Sequence, residues 1–347
     1  MLNIAGQTIG AAHRPYIIAE MSGNHNQSLD RALALVDAAA DAGAHAIKLQ
    51  TFTAETMTLD AAGSEFQAAP GSLWAGRSLY SLYAEASTPW EWHAPIMQRA
   101  RERDIACFSS PFDESAVDFL ETLDVPAYKI ASFECVDLPL IRRVARTGKP
   151  VIISTGMATI AEIADAVDTA RSNGCEQLIL LKCTSTYPAS PANTNIRTIA
   201  HMRDLFGCEV GLSDHTMGVG VSVAAVALGA TVIEKHFTLD RADGGVDSTF
   251  SLEPAEMASL ATETERAWQS LGEIRYGATA AEEKGRLRRR SIYVTRDIAA
   301  GEALTAENIR RIRPGTGLAP KHWDAVLGRT AKTALRKGTP LSWELLG

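Results

Sequence analysis

The chain has 347 residues, 46% hydrophobic and 22% charged, which is enough for one large globular domain or two. Its net charge of -7 argues against nucleic acid or an anionic membrane as a partner, because both call for a basic face. No stretch approaches the ~20 apolar residues of a membrane span, no charged-then-apolar leader opens the chain, and the five cysteines form no CxxC pair, so a cytoplasmic protein with reduced thiols is expected.

Eight apolar or alternating segments recur along the chain: 16–24, 46–52, 106–112, 127–132, 150–156, 178–185, 209–215 and 232–239. Between them lie alanine-rich amphipathic stretches such as 29–42 and 161–173, each stopped by a glycine, Gly43 or Gly174. Strand alternating with helix eight times predicts a (β/α)8 TIM barrel over residues 1–272. A doubly wound sheet would carry a glycine-rich phosphate loop after its first strand, and none is present. The lone Gly218-Val219-Gly220 reads as the entry to a helix.

One connection is too long for a barrel turn. Roughly fifty residues separate the second and third strands, rich in aromatics such as Trp74, Tyr80, Tyr83 and Trp90, and they read as a lid or specificity insertion on the C-terminal face. About half of those aromatics are expected only to pack the insertion itself. After Trp268 the alternation stops. Residues 273–290 read as a polar linker whose arginine cluster, Arg286 to Arg290, is a solvated charge run, and 291–347 as a small β-rich domain that must dock on a barrel, its own or a neighbour's.

Parallel barrel strands are buried on both faces, so polar residues near their C-terminal ends are costly unless something uses them. This chain places them on every strand: Glu20 and Asn24, Lys48 and Gln50, Ser109 and Ser110, Lys129 and Ser132, Ser154, Lys182 with Thr184 and Ser185, Ser213 with His215, and Glu234 with His236. Lys48 and Lys129 with Ser132, Ser154 and Ser213 supply the cations and hydroxyls that grip a phosphate or carboxylate. Glu20, Glu134 and Asp247 supply carboxylates for proton transfer or for sugar hydroxyls. Alternation turns Ser213 and His215 to one side and Glu234 and His236 to one side, so two imidazoles on adjoining strands point at one place and could hold a divalent ion. Polar packing or acid–base service by the same histidines stays open on spacing alone. So do a Schiff-base aldolase using Lys48, Lys129 or Lys182 and a carbohydrate-binding protein with an inert barrel.

The motifs Ile18-Ala19-Glu20 with Asn24-His25-Asn26, Lys48-Leu49-Gln50-Thr51-Phe52, Ser110-Pro111-Phe112, Tyr128-Lys129-Ile130-Ala131-Ser132, Ser154-Thr155-Gly156-Met157, Tyr187-Pro188, Gly211-Leu212-Ser213-Asp214-His215-Thr216 and Glu234-Lys235-His236-Phe237 together resemble the sialic acid synthase family. The C-terminal segment with Arg313-Pro314-Gly315 resembles that family's antifreeze-like (SAF) domain. Residues 73–83, 88–93 and 246–252 look most like the pseudaminic acid branch, although Gly23 stands where that branch has alanine.

The resemblance implies an enzyme that condenses phosphoenolpyruvate with an open-chain amino-sugar aldehyde. Phosphoenolpyruvate would lie on Lys48, Ser110, Lys129, Ser132, Ser154, Ser185 and Ser213, and the sugar on Gln50, Tyr187, Asp247 and Arg313. Glu134, Lys129 and Glu20 would be catalytic, and His215 and His236 would bind a divalent metal, Mn²⁺ before Mg²⁺ or Co²⁺. It further implies a domain-swapped homodimer in which Arg313 reaches the partner's barrel. For the pseudaminic branch the acceptor is 2,4-diacetamido-2,4,6-trideoxy-L-altrose. A neuraminate or legionaminate synthase with a mannose-configured acceptor is the alternative.

Overall fold

The computed structural model describes residues 2–347, and the chain divides into two compact units, one ending at Gly272 and one spanning Glu273–Gly347. The first opens with an antiparallel hairpin, β1 (Leu2–Ile4) and β2 (Gln7–Ile9). Eight parallel strands then close on themselves: β3 (Tyr16–Glu20), β4 (Ala46–Thr51), β5 (Ala106–Pro111), β6 (Tyr128–Ile130), β7 (Val151–Ser154), β8 (Leu178–Cys183), β9 (Glu209–Ser213) and β10 (Val232–His236), with β10 pairing back onto β3. The expected TIM barrel is therefore the fold, with each strand within the segment that alternation marked.

Helices follow the strands and start where capping chemistry allows. Ser28 accepts the Arg31 amide at the start of helix Leu29–Asp41, and Thr159 with Glu162 forms a capping box for helix Ile160–Ser172. In the former, Ala32, Leu35, Val36 and Ala39 recur at helical spacing and form its buried stripe.

Two apolar layers result. Ile17, Ala19, Ile47, Leu49, Ile153 and Ile233 face the helices, whereas Tyr16, Ile18, Ala46, Phe108, Ile152, Ile179 and Val232 fill the barrel interior together with Ile4 and Ile9 of the hairpin. The Asn3 amide donates to the Gln177 side chain at the start of β8, 2.7 Å away, which fixes the hairpin at the N-terminal mouth. The apolar filling is confined to that end, so the C-terminal end is left to polar side chains.

The long connection after β4 has structure of its own, including helices Ala54–Met57 and Leu79–Ala86, before the helix His93–Glu102. Some of its aromatics are structural: Trp90 stacks on Phe119 at 4.7 Å between centroids, and Tyr80 hydrogen-bonds Glu55. The C-terminal unit pairs β11 (Ser291–Val294) with β12 (Ile309–Ile312) around a core that includes Ile292, Val294, Leu304, Ile309 and Leu341. Residues 283–288, within the expected linker, form an exposed 3-10 turn, and the Leu287 carbonyl accepts the Gly315 amide. Among the described residues no helix is long and apolar enough to cross a membrane.

Candidate active site at the C-terminal mouth

Above the apolar filling every strand contributes at least one inward polar side chain, and the layer Glu20, Lys48, Ser110, Lys129, Ser154, Cys183, Ser213 and Glu234 is buried throughout. Four of them form a balanced ionic cluster. Lys48 pairs with Glu20 and stands 4.0 Å from Glu234, and Lys129 Nζ lies 3.4 Å from Glu234 Oε1. Ser110 accepts from Lys48 at 3.2 Å, Ser213 donates to Glu234 at 3.1 Å, and Gln50 Nε2 donates to Glu20 at 2.9 Å. Four charges tolerate such burial only because each has an opposite neighbour. Burial works against the Glu234 carboxylate, but Lys129 and Lys48 outweigh it and hold its pKa below the ordinary carboxyl value. Burial likewise opposes the Lys48 ammonium, and Glu20 and Glu234 overcome it and hold its pKa up. Lys48 is thus held as a paired cation, unsuited to forming a Schiff base, whereas burial lowers the pKa of Lys129 although Glu234 beside it pulls the other way.

Loops after β6, β7 and β8 extend the donor surface. Ser132 and Ser185 stand 2.8 Å apart, and Gly156, at φ +49°, passes so close that a Cβ there would lie 2.7 Å from Ser132 Cβ and 2.9 Å from Ser185 Oγ. Only glycine fits that approach with that backbone. Ser154 Oγ is buried with no hydrogen-bond partner, as is one carboxylate oxygen of Glu134 on the turn Phe133–Val136. Burial pushes the Glu134 carboxyl above the ordinary range, although Lys129 pulls it partly back. Two cations with spare hydroxyls can take an anion, and a carboxyl of raised pKa can exchange a proton beside it.

The two imidazoles are brought together, with ring centroids 5.3 Å apart. Tyr187 packs on His215 at 4.6 Å and Phe250 on His236 at 4.9 Å. His215 Nδ1 lies 2.9 Å from the Thr184 carbonyl, which can only accept, so Nδ1 carries a proton; burial works against a charged ring, but Cys183 and that carbonyl outweigh it and hold the His215 pKa above the ordinary imidazole value. His236 Nδ1 is buried without a hydrogen-bond partner, 3.6 Å from Asp247 Oδ2. Burial, with His215 and the lysines beyond it, drives the His236 pKa well down, so this ring is neutral. Among the described residues no group of three or more His, Cys, Asp or Glu is placed to hold a metal. One neutral imidazole with an orphaned nitrogen, beside a second whose Nδ1 proton is held by a carbonyl, nevertheless fits a borderline divalent ion that would displace any proton from His215 Nε2 and take its other ligands from water or substrate.

The mouth is walled on one side by the insertion. Trp74 Nε1 donates to the Val246 carbonyl at 2.8 Å and its ring lies 6.1 Å from Tyr187, while Gln27 Nε2 donates to the carbonyls of Glu85 and Ser87, each at 2.8 Å. The insertion is therefore fastened to the loops after β3 and β10.

A model of the NeuB family matches residues 35–276 of the chain. The chain belongs to the NeuB family. In this NeuB-family chain a SAF domain matches residues 289–347. Pseudaminic acid synthase of Helicobacter pylori is 43% identical, over 94% of this chain and 96% of its own length. N,N'-diacetyllegionaminic acid synthase of Legionella pneumophila is 37% identical, over 96% of this chain and 95% of its own. Among solved structures, N-acetylneuraminic acid (sialic acid) synthetase from Leptospira borgpetersenii superposes with a TM-score of 0.73 at 32% identity, covering 82% of this chain and 94% of that one.

Not every strand-end residue of the NeuB-family barrel belongs to the mouth. Ser109 faces outward and joins a buried chain with Thr51 and His93, at 2.6 and 2.8 Å from the Thr51 hydroxyl. Lys182 also faces outward and donates to the Cys183 carbonyl and the Thr184 hydroxyl. Both have the parity opposite to their inward neighbours Ser110 and Cys183. Arg313 lies exposed just after β12, in the C-terminal unit. Sequence reasoning missed Cys183, whose Sγ stands 3.6 Å from Ser185 Oγ, and Phe250. The alternation Cys183–Ser185 was a signal for the first, and nothing local marks the second.

Proposed function

We propose that the chain condenses phosphoenolpyruvate with 2,4-diacetamido-2,4,6-trideoxy-L-altrose and water to give pseudaminic acid and phosphate. The observation that carries the reading is the two-sided mouth: paired lysines with spare hydroxyls on one side, and two adjoining imidazoles walled by aromatics on the other. The greater identity to a pseudaminic acid synthase than to a legionaminic acid synthase supports the altrose-configured acceptor over the mannose-configured ones.

In this reading Lys48 and Lys129, with Ser110, Ser132, Ser154, Ser185 and Ser213, bind the phosphate and carboxylate of phosphoenolpyruvate. Gln50, Tyr187 and Asp247 orient the open-chain sugar, and Trp74 keeps bulk water from it. His215 and His236 hold a divalent metal, Mn²⁺ first, which when bound polarises the sugar aldehyde. Carbon 3 of phosphoenolpyruvate adds to the aldehyde carbon, and the aldehyde oxygen takes up a proton. Carbon 2 gains positive character next to the ionic cluster, where Glu20 and Glu234 supply negative potential. Water adds at carbon 2, losing its proton to Glu134, and the tetrahedral intermediate expels phosphate by carbon–oxygen cleavage.

Five apolar side chains on the segments that follow β6, β7 and β9, Phe133, Val136, Met157, Ile160 and Met217, are exposed, which supports a second chain covering them. The proposed assembly is a domain-swapped homodimer with Arg313 on the partner's sugar. Free cysteines throughout support a cytoplasmic setting.

Purified protein given phosphoenolpyruvate, Mn²⁺ and the trideoxy-altrose should release phosphate above a no-sugar control. It should do so poorly with N-acetylmannosamine or the mannose-configured diacetamido sugar. Preference for either of those replaces the acceptor assignment, and silence with all three revives a binding protein. His236→Ala should abolish Mn²⁺ binding and turnover while leaving the thermal transition in place.

A further inference from the structure

Asp214 and Lys235 alternate with the residues of the mouth. Asp214 stands between Ser213 and His215, and Lys235 between Glu234 and His236, so both project to the outer face of the sheet. There they meet as a buried ion pair, 3.0 Å between Lys235 Nζ and Asp214 Oδ2, with the two residues 1% and 3% exposed. Every polar valence is used. The ammonium also donates to the carbonyls of Thr216, at 2.6 Å, and Gly218, at 2.8 Å. The carboxylate also accepts from the Thr216 amide and hydroxyl, at 2.9 and 2.8 Å, and from Ser222 on helix Gly220–Ala227, at 2.7 Å.

A buried ion pair is no more stabilising than a well-packed apolar pair of the same volume, so stability alone does not call for these charges. What they accomplish is geometric. The loop that leaves His215 is wound around a cation supplied by the strand that carries His236, and the Asp214 amide donates to the Glu234 carbonyl at 2.9 Å. The backbones that bear the two imidazoles are thereby tied to each other directly, whereas the hydrogen bonds of His215 itself, Nδ1 to Thr184 and its carbonyl to the Ala189 amide, run to the β8 side.

We propose that Asp214 and Lys235 are the positioning pair of the metal centre, holding the His215 and His236 rings at the separation that a divalent ion requires. The inference rests on the metal reading given above. It assigns the pair no contact with substrate.

The test compares Mn²⁺ and phosphoenolpyruvate binding to metal-free protein by titration calorimetry, with thermal unfolding as the check on folding. Either single change would leave one buried charge uncompensated, so Asp214→Asn/Lys235→Met, which removes both charges, is the main variant, and Asp214→Asn, which keeps the side-chain shape, the second. Mn²⁺ affinity should fall by about 10–100-fold, the range usual for groups that orient metal ligands, while phosphoenolpyruvate affinity stays at the wild-type value because Lys48 and Lys129 are untouched. An unchanged Mn²⁺ affinity beside a lowered Tm would make the pair merely structural and overturn the proposal. An equal fall in both affinities would mean a general loosening of the barrel and would overturn it too. A flat Mn²⁺ titration of the wild type would remove the metal reading itself, and is distinguishable because the two variants then play no part in the result.

Discussion

At Gly23 the loop after β3 passes where no other side chain fits. A Cβ there would lie 2.4 Å from Val246 Cγ2 and 3.1 Å from Ala86 Cα, and the first is closer than real Cβ contacts come. Val246 is not a free neighbour: its carbonyl takes the Trp74 indole, and the next residue, Asp247, faces His236. Gly23→Ala must therefore displace the loop that shapes the sugar side of the mouth. It should cost about 1–3 kcal/mol, the usual range for overpacking. It should also raise KM for the acceptor sugar more than KM for phosphoenolpyruvate, and Gly23→Ala/Val246→Ala should recover most of both effects. Thermal unfolding and steady-state kinetics check this; an unperturbed single variant would mean the three loops adjust freely. The sequence marked Gly23 only as a departure from alanine. Its meaning came from two segments far away in the chain.

The hairpin β1–β2 places Ile4 and Ile9 in the apolar layer of the barrel interior, at the end away from the ionic cluster. In such barrels the N-terminal end serves stability and the C-terminal end chemistry. Ile4→Ala should thus destabilise by about 2–5 kcal/mol with kcat of the folded protein unchanged, read by denaturant unfolding beside turnover under native conditions. A fall in kcat without loss of stability would couple the two ends. Strands β3 to β10 were legible because alternation, apolar runs and glycine stops all agreed, and the inward residues of the mouth were legible because strand-end polarity is costly. The hairpin was not, since three-residue strands are too short to show a period. Ser109 and Lys182 were grouped with the mouth because composition reveals a polar residue at a strand end but not its parity in the folded sheet, and the partner that settles Ser109, through Thr51, is His93, some forty residues beyond β4.

For the whole molecule the proposed dimer and the proposed sugar contact of Arg313 are tested together. The C-terminal unit has a core of its own, and its Arg313 is exposed, so the residue is available to a sugar acetamido group supplied elsewhere. In the proposed swapped dimer each active site would combine one barrel with the other chain's Arg313, which a complementation experiment reads directly. His236→Ala inactivates a barrel but leaves its Arg313 intact, and Arg313→Ala does the reverse. When the two variants are mixed and allowed to exchange subunits, half of the dimers are mixed in a random distribution. Each mixed dimer holds one site with both functional parts and one with neither, so activity should rise from near zero to about a quarter of the wild-type value. If Arg313 served its own barrel, every site in the mixture would lack one part and activity would stay at the sum of the separate variants. Full activity of Arg313→Ala by itself would instead remove the C-terminal unit from the chemistry, leaving the barrel mouth to recognise the sugar alone.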